Sequence, residues 1–264
     1  MDLTISCCAD LESILPHGHV WPICTSLRSL FIDGCDELST FPDALHNLHC
    51  LEDIEVKWCR NLRSFPSIQG IASFLQRLWL CCSDEAQPPG LQSCVSLQHL
   101  FIDDWPHLIS IPDLRNLHSL TDLQIYHCPN LISIPDPKEL PSLTQLKIWD
   151  CSKLKSIPDL PSLTLLKISG CPNLISIPDM RELPSLTHLE ISDCQKLRCV
   201  PDGLDCLTRL VCLWIGDICK ELNSFQVSIP SYAHMRPFKD YTCMDGIVST
   251  LSQRQLNTSL PSKF

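Results

Sequence analysis

The chain has 264 residues, 44% of them hydrophobic, with 21 Pro against only 8 Gly, so it is long enough to bury a substantial core and is neither a flexible low-complexity tract nor collagen-like. Thirty acidic residues against 20 basic ones give a net charge of −10, and no basic block exists that could neutralise a run of phosphates, which argues against nucleic acid and anionic membrane surfaces as partners. No apolar run reaches the length of a membrane span, and Met1 leads into Asp2 rather than into a secretory h-region; the chain is expected to be cytoplasmic, with no membrane span.

In chain order the sequence repeats one pattern, LxxLxIxxCxxLxxIP. A first, incomplete copy runs from Leu3 to its cysteine at Cys8, its leading leucine position falling before Met1. Copies then begin at Leu27 (LRSLFIDGCDELSTFP), Leu51 (LEDIEVKWCRNLRSFP), Leu97 (LQHLFIDDWPHLISIP), Leu120 (LTDLQIYHCPNLISIP), Leu143 (LTQLKIWDCSKLKSIP), Leu163 (LTLLKISGCPNLISIP) and Leu186 (LTHLEISDCQKLRCVP), with degenerate copies at Leu75 and Leu210. The spacings from Leu27 onward are 24, 24, 22, 23, 23, 20, 23 and 24. In each copy LxxLxI alternates apolar and variable residues near its end, which predicts a short strand with one face buried. The next Leu and the Ile-Pro step, three residues apart, suit an irregular or 3₁₀ wall. Prolines in the return segments, such as Pro141, Pro161 and Pro184, remove amide donors and keep those stretches out of a central sheet.

A unit of this size cannot bury its apolar face alone, whereas stacked copies share a continuous core. The predicted fold is therefore an α/β-type solenoid: a leucine-rich-repeat horseshoe with a parallel β-sheet on the concave face and mostly irregular or 3₁₀ convex segments. It spans residues 1–225 in about nine to ten repeats, followed by a non-repeat C-terminal tail, 226–264, for which disorder is one expectation. The short unit between Leu143 and Leu163 loses its three residues from the return segment, as DLPSLT beside DLRNLHSLT shows.

Eighteen cysteines would suggest a disulfide framework in a secreted chain. Seven of them, Cys8, Cys35, Cys59, Cys128, Cys151, Cys171 and Cys194, fall at one phase of the repeat, with Ser83, Trp105 and Ile218 in that slot elsewhere. Neighbouring strands about 4.8 Å apart would permit bridging by distance, but equivalent residues of a parallel stack point the same way, so their Cβ vectors do not converge. Zinc needs converging ligands, and no CxxC pair occurs. These residues are expected to form a structural ladder, with no metal and no cofactor. His127 and Cys128 are the nearest thiol and base, yet adjacent strand residues face opposite ways. No GxxxxGK[ST], GxSxG, HExxH or GxGxxG motif is present, so no catalytic residues are assigned and an enzyme is not expected.

The copies LTDLQIYHCPNLISIP and LTHLEISDCQKLRCVP resemble the C-terminal leucine-rich repeats of plant coiled-coil-type nucleotide-binding leucine-rich-repeat (NLR) disease-resistance proteins. The slot cysteine, the Leu after it and the (Ile/Phe/Val)-Pro step carry the likeness, over about residues 1 to 225. The resemblance implies a plant defence role in innate immunity, with protein partners: a pathogen effector, a guarded host protein or a sister nucleotide-binding domain held in its resting state. Three departures point to a fragment: the switch domain with its phosphate loop is absent, the chain opens in mid-repeat, and the pattern stops after Phe225. The alternatives are a substrate-recognition solenoid of a ubiquitin ligase, for which no recruiting segment is visible, a thiol enzyme or metal protein, and a non-functional receptor remnant.

If Leu and Ile of LxxLxI face the core, the residues between and after them line the concave face. The partner-binding candidates in these two lanes are Phe31, Lys57, Trp79, Phe101, Asp103, Tyr126, Lys147, Trp149, Lys167, Glu190 and Trp214. Aromatics are common interface anchors; the plainer alternative is that they pack on neighbouring side chains of the sheet or on another domain. Trp58 sits one slot further, at the sheet edge. Asp104, Asp150, Asp193 and Asp217 precede the ladder slot, where Asp suits a turn better than a basic partner. In CPNLISIPD, written at both 128–136 and 171–179, Cys, Leu, Ile and Pro read as scaffold.

Overall fold

The period-two segments form strands in every repeat of the computed structural model, which describes residues 1–15, 26–41, 45–59, 61–62, 68–81, 90–111, 113–198 and 201–216. The expected tail at 226–264, and with it Ser83, Asp217 and Ile218, lies outside the described residues. The strands are β1 (Asp2–Ser6), β2 (Ser29–Asp33), β3 (Asp53–Lys57), β4 (Arg77–Cys81), β5 (His99–Asp103), β6 (Asp122–Tyr126), β7 (Gln145–Trp149), β8 (Leu165–Ser169), β9 (His188–Ile191) and β10 (Cys212–Ile215). They make one parallel sheet in sequence order. Its register pairs Phe31 with Glu55, Glu55 with Trp79, Trp79 with Phe101, Phe101 with Gln124 and Gln124 with Lys147, then runs through Lys167 and Glu190 to Trp214. The spacing of the repeat is thus the register of the sheet, the architecture of a leucine-rich-repeat solenoid.

The return wall is built of short 3₁₀ turns, Leu45–Asn47, Leu91–Ser93, Pro137–Glu139, Met180–Glu182 and Leu204–Cys206, with no α-helix among the described residues. No such turn lies between β7 and β8, the unit that is three residues short, while the two strands still pair over five residues. The deletion is absorbed entirely on the return side. A third set of contacts, the bridges Ser110–Ser133, Ser133–Ser156 and Ser156–Ser176, ties successive returns together.

Packing repeats as faithfully as the sequence. Leu120, Leu123, Ile125, Cys128 and Leu131 of one repeat are fully buried, as are Leu143, Leu146, Ile148, Cys151 and Leu154 of the next. Full burial of one such Leu or Ile is worth about 1.5–3 kcal/mol, realised only when neighbouring coils cover it. Threonine links the coils: the hydroxyls of Thr121, Thr144, Thr164 and Thr187 donate to the carbonyls of Gln98, Thr121, Thr144 and Thr164 at 2.8–3.1 Å.

The ladder cysteines close the turn after each strand. Cys8, Cys35, Cys59, Cys128, Cys151, Cys171 and Cys194 each donate S–H to the carbonyl two residues earlier, at 3.2–3.7 Å. All but Cys8, on the first coil, are buried. A thiol serves this place because it is small and apolar enough to bury yet offers a weak second donor to carbonyls such as those of Asp33, Lys57, Tyr126, Trp149 and Ser169, which also accept a backbone N–H from the preceding coil. Burial pushes the Cys194 thiol up to about 12, and the Cys128 thiol and burial push that of Cys151 higher still. Such groups stay protonated and unreactive at neutral pH. In the one described coil without cysteine, Trp105 fills the slot and is fully buried.

The concave face as candidate binding site

Each strand shows two core-facing aliphatic residues to the return wall and three others, or two in the four-residue β9 and β10, to the opposite face, as the period of two requires. The outward lane of Phe31, Glu55, Trp79, Phe101, Gln124, Lys147, Lys167, Glu190 and Trp214 and the lane of Asp33, Lys57, Cys81, Asp103, Tyr126 and Trp149 run side by side across the sheet. A third lane, Ser29, Asp53, Arg77, His99, Asp122, Gln145, Leu165 and His188, belongs to the same face. The sequence reading did not include it, although the same period of two marks it two residues earlier on each strand.

Trp79 and Phe101 stack with ring centroids 4.6 Å apart, Trp79 and Tyr126 lie nearly parallel at 6.2 Å, and Tyr126 stacks on Trp149 at 5.1 Å. The four rings make a continuous aromatic column from β4 to β7. At its β3 end the Lys57 ammonium sits 3.8 Å over the Trp79 ring and is ion-paired with Glu55. Offset-stacked pairs of this kind contribute about 0.5–1.5 kcal/mol beyond their burial. The aromatics therefore pack on one another and still leave part of each ring at the surface, all four being half-buried. Trp214, on β10, is 42% exposed.

The polar candidates divide. Lys147 and Glu190 are half-buried, whereas Asp103 is buried and Lys167 is only 8% exposed, paired with Glu190 at 2.9 Å. Asp122, 6% exposed, accepts from the Gln124 side chain at 2.8 Å, approaches His99 Nδ1 at 3.5 Å and keeps Oδ1 buried without a partner. The Tyr126 hydroxyl in turn donates to Gln124. Across the three lanes the carboxylates Asp2, Asp33, Asp53, Glu55, Asp103, Asp122 and Glu190 outnumber the cations Lys57, Arg77, Lys147 and Lys167, so the face is acidic.

One rim of the face is set by a backbone requirement. In all eight described coils with this turn, the residue before the ladder slot is left-handed: Cys7, Gly34, Trp58, Asp104, His127, Asp150, Gly170 and Asp193 have φ of 47–63°. Gly and Asp suit that conformation, and Trp58, 39% exposed, is a strained exception. The turn reading of the Asp lane thus has its physical reason in φ. His127 Nδ1 lies 2.9 Å from Asp103 Oδ1 and its Nε2 lies 3.5 Å from Asp150 Oδ2, so one imidazole bridges three coils. Burial lowers the ring's proton affinity, but the Asp103 hydrogen bond and the charges of Asp103, Asp150 and Asp104 outweigh it, and the net shift is upward. The neighbouring Cys128 thiol is buried against the Tyr126 carbonyl, so the pair does not work as thiol and base.

The return wall corrects one detail of the repeated nonapeptide. Ile134 and Ile177 turn toward the core, but Ile109, Ile132 and Ile175 are 60%, 42% and 60% exposed, interrupted by Lys155. The final Asp serves the return wall: Asp136 Oδ1 accepts from the Lys138 amide and Asp179 Oδ1 from the Arg181 amide, each at 2.9 Å. Among the described residues no group of three or more His, Cys, Asp or Glu could hold a metal ion, and no helix is long and apolar enough to cross a membrane.

Residues 2–152, more than half of the chain, match the family described as plant disease resistance protein RPS2-like, leucine-rich repeats. Among solved structures, the chain is similar to the leucine-rich repeat domain of the type III effector XCV3220 (XopL), at 21% identity over 69% of this chain and 73% of that one, with a TM-score of 0.49. No curated protein sequence matches it.

Proposed function

Because the chain belongs to the RPS2-like leucine-rich-repeat family of plant disease resistance proteins, we propose that its concave sheet face is the protein-recognition surface of an intracellular NLR immune receptor. Its partners are a pathogen effector or guarded host protein, and the receptor's own nucleotide-binding domain, with residues 1–225 as the repeat unit. The observation that carries this is the contrast within each coil. Leu, Ile and Cys fill most of the buried positions, with Ile54, Val56, Leu80 and Trp105 as apolar replacements, while the register-aligned lanes between them mix acidic, basic, polar and aromatic residues and gather four aromatic rings at the sheet centre. A solenoid kept for stability alone would not need half-exposed Trp and Tyr on its open face; anchors for a protein interface are of this kind. The role is binding and not catalysis, since the ladder thiols are tied to backbone and His127 to carboxylates.

Photo-crosslinking tests it. A benzophenone side chain is placed at Phe101 or Lys147 on the concave face, or at Ser133 or Ser156 on the return wall, and the chain is expressed in leaf cells. The expected result is one reproducible protein captured from the concave positions and lost when Trp149 is changed to Ala. Capture of the same proteins from both walls, unaffected by Trp149→Ala, would overturn the reading.

A further inference from the structure

The two ends of the aromatic column are finished differently. At β3 the chain supplies its own cation, Lys57, over Trp79 with Glu55 beside it. At β7 the register partner of Trp149 is Ser169, and Gly170 follows it at φ +63°. Among the described residues, Trp149 stacks on Tyr126 and no cation lies over its ring. Lys167, the cation of that strand, is buried and held by Glu190.

Only small side chains therefore stand beside the aromatic ring, the space over Gly170 being taken by the Asp150 carboxylate, and the shallow notch at Ser169 has an acidic rim. The Asp150 carboxylate lies against Gly170 so closely that a Cβ there would collide with Oδ1 and come within 3.0 Å of Cγ. Its other oxygen faces His127 at 3.5 Å, and the side chain is 59% exposed. From the next coil, Asp193 Oδ2 accepts from Ser169 Oγ at 3.3 Å, and Ser192 donates to Ser169 at 2.8 Å. Asp150 and Asp193 thus flank the Ser169–Gly170 step from either side.

Building on the proposed partner-binding role, we infer that this notch is an arginine-recognition site, taking the guanidinium of an arginine on the partner protein against Trp149 with its N–H groups on Asp150 and Asp193. A flat cation matches an aromatic face bordered by carboxylates, because it stacks on the ring and forks toward two acceptors at once. Lysine can use the ring but not the fork, and an anion is repelled by both acids. Lys57 on Trp79 is the chain's own example of a cation on the same column.

The probes are three capped pentapeptides, Ala-Ala-X-Ala-Ala, in which X is arginine, lysine or citrulline, added to the ¹⁵N-labelled full chain. The readout is the indole N–H resonance of Trp149, assigned by Trp149→Phe. The arginine peptide is expected to shift it saturably, with citrulline about tenfold weaker and lysine between them. Asp193→Asn, an exposed and conservative change, should weaken arginine binding about tenfold while leaving other resonances in place. Equal shifts from arginine and citrulline, or arginine binding untouched by Asp193→Asn, would overturn the inference. If those results come with intact crosslinking from Phe101 and Lys147, only the arginine site falls; if the crosslinking also fails, the reading of the concave face falls with it.

Discussion

Gly34 and Gly170 occupy the same left-handed slot in different coils, and alanine at each should expose what the slot demands. An alanine there takes on about 1–2 kcal/mol of left-handed strain, offset by about 0.4–1 kcal/mol from a stiffer unfolded chain, for a net cost of about 1 kcal/mol. At Gly34 little is added, since the nearest atom to a new Cβ is the Cys7 nitrogen at 3.7 Å. At Gly170 the Cβ collides with Asp150 Oδ1 and the carboxylate must swing away, giving up its approach to His127. That exposed contact and the forced rotamer add about 1 kcal/mol. Gly170→Ala should therefore cost about 2 kcal/mol against about 1 kcal/mol for Gly34→Ala, and in an Asp150→Ala background the cost at Gly170 should fall toward that of Gly34, the tight 3.2 Å approach to the residue-150 nitrogen remaining. Urea denaturation followed by circular dichroism, run as a double-mutant cycle, reads these values. Equal costs at the two glycines, or a Gly170 cost unchanged by Asp150→Ala, would refute the geometry assigned to the notch.

Other substitutions separate scaffold from surface. Trp105→Cys installs the residue of the other coils, yet it empties a fully buried slot and should cost about 3 kcal/mol in a thermal melt; a neutral result would mean the ladder slot adapts freely. Trp58→Gly relieves about 1–2 kcal/mol of left-handed strain and should be neutral or stabilising by the same assay, whereas a loss above about 2 kcal/mol would make Trp58 a core residue. The raised proton affinity of His127 stabilises the fold fully below the ordinary histidine value of about 6.5 and is lost as pH climbs through the raised one. The stability difference between the wild-type chain and His127→Gln should therefore shrink as pH rises across that range, and a difference that grows would reverse the sign of the His127 bridge.

Much of this was legible because the repeat is the register. The 20-residue unit already told which wall absorbs the deletion, since strands in one sheet cannot lose residues without slipping faces, and β7 and β8 keep five paired residues. The cysteine slot was readable as structure because equivalent side chains in a parallel stack point alike. Burial of Asp103 and Lys167 was not readable, for it depends on what adjacent strands place beside them: Tyr126 is the register partner of Asp103 and His127 hydrogen-bonds it, while Glu190 pairs with Lys167. Repetition itself misled at Ile132 and Ile175. The sequence reads Cys, Leu, Ile and Pro of CPNLISIPD alike as scaffold, and the structure turns one isoleucine of each copy outward. The left-handed turn likewise explains why Asp recurs before the slot, a reason the spacing alone did not supply.

The central claim is that partners bind the strand face and that the return wall is scaffold. Hydroxyl-radical footprinting of the full chain, free and with the protein captured by the Phe101 crosslink, tests it most directly, because both walls carry oxidisable exposed side chains. The account predicts that oxidation of Tyr126 and Trp149 falls in the complex while that of Ile109, Ile132 and Ile175 does not change. Protection of the isoleucines with Tyr126 and Trp149 oxidised as before would contradict it.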